Sequence, residues 1–198
     1  MSVFYDYLES YARSDTAEDR AEIEASLWDE FGVEQAIFIL DMAGFSMSVE
    51  ERGIVHYLSM MQRMRMTVEP LIRQNGGTVI KFEADNCFAR FPDTLQAVQT
   101  AIIYNHTLSA MNLTTPDDLD IHAAIGIDFG KFLLVKSSDA YGMPVNVASK
   151  LGEDVASSEQ ILVSKQAMDR IDEHAGINSS PLDIKVSGLQ LEAVEIIY

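Results

Sequence analysis

The chain holds one cysteine, Cys87, among its 198 residues, so it has no internal disulfide and no cysteine-built zinc site. Cys87 falls inside a strand-like pattern, where a buried structural thiol is expected rather than a nucleophile. Basic residues are scarce as well: 14 Lys and Arg stand against 31 Asp and Glu, for a net charge of −17. That balance argues against nonspecific binding to nucleic acid or to an anionic membrane. A polyphosphate ligand would have to be met by metal ions or by a few placed lysines. The histidines His56, His106, His122 and His174 have no second histidine at ligand spacing and read as packing or capping residues. No apolar run is long enough to span a bilayer, and the amino terminus lacks a basic region followed by an apolar stretch, so a cytoplasmic location is expected. Repeats, low-complexity tracts and a clear interdomain linker are also missing.

What is present centres on Gly76-Gly77-Thr78-Val79-Ile80-Lys81-Phe82-Glu83-Ala84-Asp85-Asn86-Cys87-Phe88-Ala89-Arg90-Phe91. Thr78 to Phe82 and Cys87 to Phe91 are rich in β-branched and aromatic residues, which predicts a hairpin with Asp85-Asn86 at the bend. A second acidic corner lies upstream, where the apolar strand Ala36 to Leu40 ends in Asp41. Met42-Ala43-Gly44-Phe45-Ser46 follow, small enough in part to leave backbone N–H groups free. Two carboxylates at the ends of neighbouring buried strands repel each other unless a cation lies between them.

Around these corners the elements alternate. Residues 1–34 form an acidic, helix-prone leader with Tyr5, Tyr7, Leu8, Tyr11, Ile23, Leu27, Trp28 and Phe31 at helical spacing, expected to pack on the domain or on a partner chain. A long helix is predicted over Val49 to Asn75, with Pro70 as a kink or break, and a second over Thr94 to Met111. Two strands, Ile121 to Ile127 and Phe132 to Val135, are separated by Asp128-Phe129-Gly130, and a short helix runs from Pro144 to Val155. The tail reads as strand Gln160 to Ser164, helix Lys165 to Glu173, then strands Leu182 to Val186 and Ala193 to Ile197. Strand, helix, hairpin, helix, strand is the order of a ferredoxin-like βαββαβ core, here an α/β (α+β) domain with carboxy-terminal additions. The division is a helical extension over 1–34 and one domain over 35–198.

Helical spacing sets Asn146 and Lys150 on one face of the short helix, with Asp139 in the loop before it. With these residues the order and spacing resemble the catalytic domain of class III nucleotidyl cyclases, the adenylate and guanylate cyclases. The resemblance spans about Ala36 to Tyr198 and rests on Phe38 to Ser46, Gly76 to Phe91, and Asp139 to Lys150 with its Val145-Asn146-Val147-Ala148-Ser149-Lys150-Leu151 segment. It implies that Asp41 and Asp85, with the Met42 carbonyl, bind two Mg2+ or Mn2+ ions. One ion would lower the pKa of the attacking ribose 3′-hydroxyl, and both would stabilise in-line displacement of pyrophosphate. N–H groups of Ala43, Gly44, Phe45 and Ser46 would assist at the β- and γ-phosphates. Lys81 and Asp139 match the pair that reads adenine: an ammonium donates to ring N1 and a carboxylate accepts from the 6-amino group. Guanine presents the opposite pattern, and members that read it usually carry an acidic residue where this chain has Lys81. Asn146 would orient the ribose and Lys150 would neutralise charge growing on the α-phosphate. The implied activity is conversion of ATP to cyclic AMP and pyrophosphate.

The resemblance further implies a homodimer, with Asp41 and Asp85 from one chain facing Lys81, Asp139, Asn146 and Lys150 of the other. The chain departs from the pattern at four places. Lys150 stands where arginine is usual, Ala84 where glycine is usual, and Ser187 where a phosphate-binding lysine is common, with Lys185 as the substitute nearby. The arm from Gly130 to Asp139 is short, and the leader is a candidate to supply the missing dimer contacts or to dock a regulator. Two alternatives stand beside the adenylate reading: a single-domain pyrimidine cyclase making cyclic UMP or CMP, and a catalytically silent nucleotide-binding partner.

Overall fold

The computed structural model describes residues 3–43, 52–135, 138–186 and 189–198. The leader is two helices, α1 (Val3–Arg13) and α2 (Ala17–Phe31). They are separated at Ser14-Asp15 because Thr16 caps the second helix, accepting the Asp19 N–H at 3.0 Å. The apolar spacing of the leader resolves unevenly. Phe4 and Leu27 are buried against Val135 with Tyr7, Phe31 and Leu133 around them, whereas Tyr5, Leu8, Tyr11 and Trp28 stay exposed.

Strand β1 (Gly32–Met42) follows directly and becomes the second strand in from its side of the ferredoxin-like core. After it come α3 (Ile54–Gln74), β2 (Thr78–Glu83), β3 (Asn86–Phe91), α4 (Thr94–Asn112) and β4 (Ala123–Val135). The short β5 (Asp139–Tyr141) pairs with the end of β4, and α5 (Met143–Ser149) follows. Then come β6 (Ile161–Ser164), α6 (Lys165–Met168), β7 (Asn178–Val186) and β8 (Leu189–Ile197). Among the described residues the sheet order is β2-β3-β1-β4-β6-β8-β7. The first four are antiparallel neighbours, the arrangement expected of a βαββαβ core, and β6-β8-β7 is the carboxy-terminal addition.

The period of two along β1 divides the core. Ala36, Phe38, Leu40 and Met42 point into the larger cluster, with Met61, Met64, Val68 and Ile72 of α3 and Val98, Ala101 and Tyr104 of α4. Ile37 and Ile39 point to the other side, under Val145 and Ala148 of α5. Helix α3 runs through Pro70 unbroken, and Met60, Met61 and Met64 are core filler, as suits so adaptable a side chain, while Met66 is exposed. Cys87 is fully buried, and burial pushes its thiol pKa up, so it is inert at neutral pH.

Several boundaries differ from the sequence reading. The two strands predicted around Asp128-Phe129-Gly130 are one strand, because β1 pairs with β4 from Gly32↔Leu133 to Met42↔Ala123. The turn-like composition is overridden: Asp128 is buried, its carboxylate accepting from the Ser164 hydroxyl, and Gly130 sits in the ladder opposite Gln35. Ser164 in turn caps α6 by accepting the Ala167 N–H. That helix ends at Met168 rather than Glu173, with a 3-10 turn over Glu173–Ala175 beyond it. Both final strands are longer than predicted, since each pairs with the other along its whole length. The start of the long helix predicted at Val49 lies outside the described residues.

Candidate active site

Strand parity sets Asp41 on the same side of β1 as Ile37 and Ile39, beneath α5. Its register partner on β3 is Asn86, the residue after Asp85, so the hairpin tip and the end of β1 meet at one corner of the sheet. The turn itself is Ala84-Asp85, one residue earlier than predicted, and Asn86 already belongs to β3. Ala84 adopts φ 48°, a left-handed conformation that costs a residue with a Cβ about 1 kcal/mol. An exchange of glycine for alanine is mild only where the backbone avoids positive φ. The backbone takes positive φ, so Ala84 sits under strain at the edge of the site.

The two aspartates feel each other. Burial, then the charge of Asp85 and that of Glu153, raises the Asp41 carboxyl from its ordinary 3.8 to about 7, even though it accepts the Met42 N–H. Glu153 is raised by burial and by Asp154, Glu83 and Asp85, against a lowering bond from Ser149. Asp85 is hydrogen-bonded to the phenol of Tyr57, a buried residue of α3 whose own pKa is pushed up, by burial first and by Asp85 next. Neither Glu153 nor Tyr57 was singled out from sequence. Glu153 resembles any acidic helix residue, and its only signal was a position three after Lys150.

Among the described residues no three His, Cys, Asp or Glu side chains are placed to hold a metal ion by themselves. Mg2+ and Mn2+ fit that donor set, because such ions keep several waters and bind through one or two carboxylates plus substrate phosphates. A divalent ion at this corner would remove the repulsion that now favours the neutral Asp41. The sign of the pH effect follows. With its folded pKa above the unfolded value, Asp41 contributes stability that is complete below about pH 4 and lost as the pH rises through about 7. We expect the metal-free melting temperature to fall between pH 5 and pH 8, with part of that slope gone in Asp41→Asn. Added Mn2+ is expected to stabilise the parent more at pH 8 than at pH 5.5. Parallel slopes in parent and variant would refute the assignment.

On the other flank, Lys81 and Asp139, far apart in sequence, form an ion pair with Nζ 3.0 Å from Oδ1. Lys81 also binds Glu83 at 2.5 Å and lies 4.6 Å from the Phe88 ring centre. Burial alone would lower the Lys81 pKa, but its bonds to Glu83 and Asp139 outweigh it and the net shift is upward. Asp139 mirrors this: burial would raise it, while Lys81, the Ala140 N–H and the Tyr141 hydroxyl pull it down. The pair is ionised on both sides at neutral pH.

Asn146 is exposed on α5, and Lys150 is half-buried. The helix predicted to run to Val155 widens into a π-helical stretch, Lys150–Val155, at this point. The Lys150 N–H still reaches the Asn146 carbonyl, so the four-residue spacing of the two side chains survives. The widening has a packing cause. A Cβ on Gly152 would lie 3.0 Å from the Ile39 carbonyl oxygen, so the backbone of this segment rests directly on the sheet.

Of the residues expected at the phosphates, Ala43 and Lys185 lie among the described residues. The Ala43 N–H is already given to the His122 carbonyl at 2.9 Å, which corrects the expectation that it is free for a ligand. Gly44, Phe45 and Ser46 lie outside the described residues, as does Ser187. Lys185 is on β7, at the opposite end of the sheet from β2 and β3.

No protein-family model matches the sequence. A 116-residue segment, 59% of the chain, is 29% identical to a Rhizobium meliloti (strain 1021) protein named "Putative adenylate cyclase 3", and it spans 20% of that relative's length. Among solved structures, the adenylate/guanylate cyclase/hydrolase from Silicibacter pomeroyi superposes with a TM-score of 0.72 at 26% identity, covering 84% of this chain and 98% of that one. The adenylyl cyclase CyaB from P. aeruginosa also gives 0.72, at 18% identity, over 84% and 96%. Fold and corner geometry thus define a mixed α/β domain with a ferredoxin-like core and an acidic pair at adjoining strand ends. The fold is that of the class III adenylate/guanylate cyclase catalytic domains, which the chain also resembles in sequence. No helix of the described residues is long and apolar enough to cross a membrane.

Proposed function

We propose that this nucleotidyl cyclase domain converts ATP to 3′,5′-cyclic AMP and pyrophosphate at a site completed by a second copy of the chain. The observation that carries the choice of base is the Lys81–Asp139 pair, a donor and an acceptor 3.0 Å apart and both ionised. Lys81 has three protons. Two are engaged by Asp139 and Glu83, which leaves one for ring N1 of adenine. Asp139 accepts from the 6-amino group. Guanine would set its N1–H against the ammonium and its 6-oxo oxygen against the carboxylate, two repulsive contacts.

Asp41 and Asp85, with the Met42 carbonyl, are the residues that would hold divalent ions, whose chemistry is to activate the 3′-hydroxyl and to neutralise the triphosphate. Asn146, exposed on its helix, would orient the ribose. Lys150 would bring its charge to the α-phosphate as a point charge rather than a planar fork, which bears on rate more than on the reaction. In this reading the helices of residues 1–34 are an extension of a catalytic domain over 35–198.

The test is turnover of ATP, GTP, CTP and UTP with Mn2+. ATP is expected to be used at least about tenfold better than GTP, given two reversed hydrogen bonds. Comparable use of GTP would overturn the base assignment, and preference for UTP or CTP would make the chain a pyrimidine cyclase. Binding of ATP with no release of pyrophosphate would make it a regulatory nucleotide-binding domain.

A further inference from the structure

We infer that Tyr141 is a positioning residue for Asp139, and that helix α1 holds Tyr141 through Phe4, so that the amino-terminal helices set how well the base is read. The inference rests on the proposed role of Lys81 and Asp139 and adds the groups that orient them.

A carboxylate offers about four lone-pair positions. Oδ1 of Asp139 is filled by Lys81 Nζ at 3.0 Å and by the Ala140 N–H at 2.9 Å. Oδ2 accepts one bond, from the Tyr141 hydroxyl at 3.0 Å. The position left for a 6-amino group is therefore on Oδ2, and Tyr141 fixes which way it points. Without that bond the carboxylate is tied at one oxygen only and can rotate.

Tyr141 is itself held by the leader. Its ring stacks on Phe4, with centroids 5.6 Å apart and planes 11° from parallel. Phe4 is buried and packs edge-on against Phe31 of α2 at 5.2 Å, which ties α1 to α2 at the same point. A series of contacts thus runs from Phe31 of α2 through Phe4 of α1 and Tyr141 to the oxygen that meets the base, and whatever displaces α1 loosens that oxygen.

The experiment measures binding of the α,β-methylene analogues of ATP and GTP, which cannot be cyclised, to the full chain with Mn2+. Tyr141→Phe keeps the ring and its stack on Phe4. It is expected to weaken the ATP analogue about tenfold and to leave the GTP analogue unchanged, as loss of one charge-assisted hydrogen bond requires. Phe4→Leu, which keeps an apolar side chain but removes the stack on Tyr141, should shift the same ratio the same way by about threefold. Melting temperatures are read alongside, and a general loss of structure would weaken both analogues alike. Equal weakening of both, or an unchanged ratio in Tyr141→Phe, overturns the positioning role. An unchanged ratio in Phe4→Leu alone overturns the part played by α1. Asp139→Ala separates this inference from the reading beneath it: if that variant also leaves the ratio unchanged, the base-reading pair itself is wrong.

Discussion

Asp85→Ala is expected to lower cyclase activity by at least about a thousandfold, roughly 4 kcal/mol of transition-state stabilisation, with the fold intact. Both halves of that expectation come from the same corner. Asp85 sits half-buried in the turn between β2 and β3, outside the apolar clusters of the core. Its charge is one of the causes that raise Asp41 to about 7, and removing it relieves a repulsion rather than breaking a bridge. Without metal at pH 8 the relieved repulsion on Asp41 opposes the loss of the Tyr57 hydrogen bond, so the variant should stay folded and melt close to the parent. It should also lose part of the Mn2+-induced stabilisation, because one of the two aspartates proposed as ligands is gone. Tyr57 loses its carboxylate partner, but its ring remains packed in the main cluster. A variant that keeps a tenth or more of parental activity would remove Asp85 from the chemistry. One that unfolds would show that the turn depends on more than the hairpin ladder.

How much of this was legible before the structure depended on the range of the interaction. Strand β1 announced itself, because Ala36 to Leu40 is apolar without a break and a strand buried on both faces has that composition. The hairpin was legible for the same local reason, although its bend moved by one residue once Asn86 was needed opposite Asp41. Lys81 and Asp139 were paired through family resemblance, since nothing local links residues brought together only by the approach of β2 to β5. Glu153 escaped notice because its importance lies in facing Asp41 across a helix-to-sheet contact. The continuous β4 was missed because Asp128-Phe129-Gly130 has turn chemistry, and only the full ladder with β1 overrides it. The leader was read as amphipathic, yet its burial is carried by Phe4 and Leu27 rather than by Trp28, which spacing alone did not decide.

Gly126→Ala is the substitution expected to cost the most stability, and its cause is equally invisible in sequence. A Cβ at Gly126 would stand 2.0 Å from the Ala148 carbonyl oxygen and 2.4 Å from the Gly152 nitrogen, both backbone atoms. No side-chain rotation relieves such a contact, so the segment from α5 into the π-helical stretch must lift from the sheet. We expect a loss of about 3 kcal/mol or more and a fall in melting temperature on the order of 10 °C. Gly176→Ala is the control. Its φ is +75° with nothing within 4 Å of an added Cβ, so it carries only the left-handed backbone cost of about 1 kcal/mol. The same displacement carries Asn146 and Lys150 away from the corner that holds Asp41. Gly126→Ala should therefore also lose activity at temperatures where it remains folded, with kcat falling more than ATP affinity, because Lys150 is assigned to charge that grows during reaction. If Gly126→Ala melts no lower than Gly176→Ala, the direct seating of this segment on β4 is wrong, and with it the placement of Lys150.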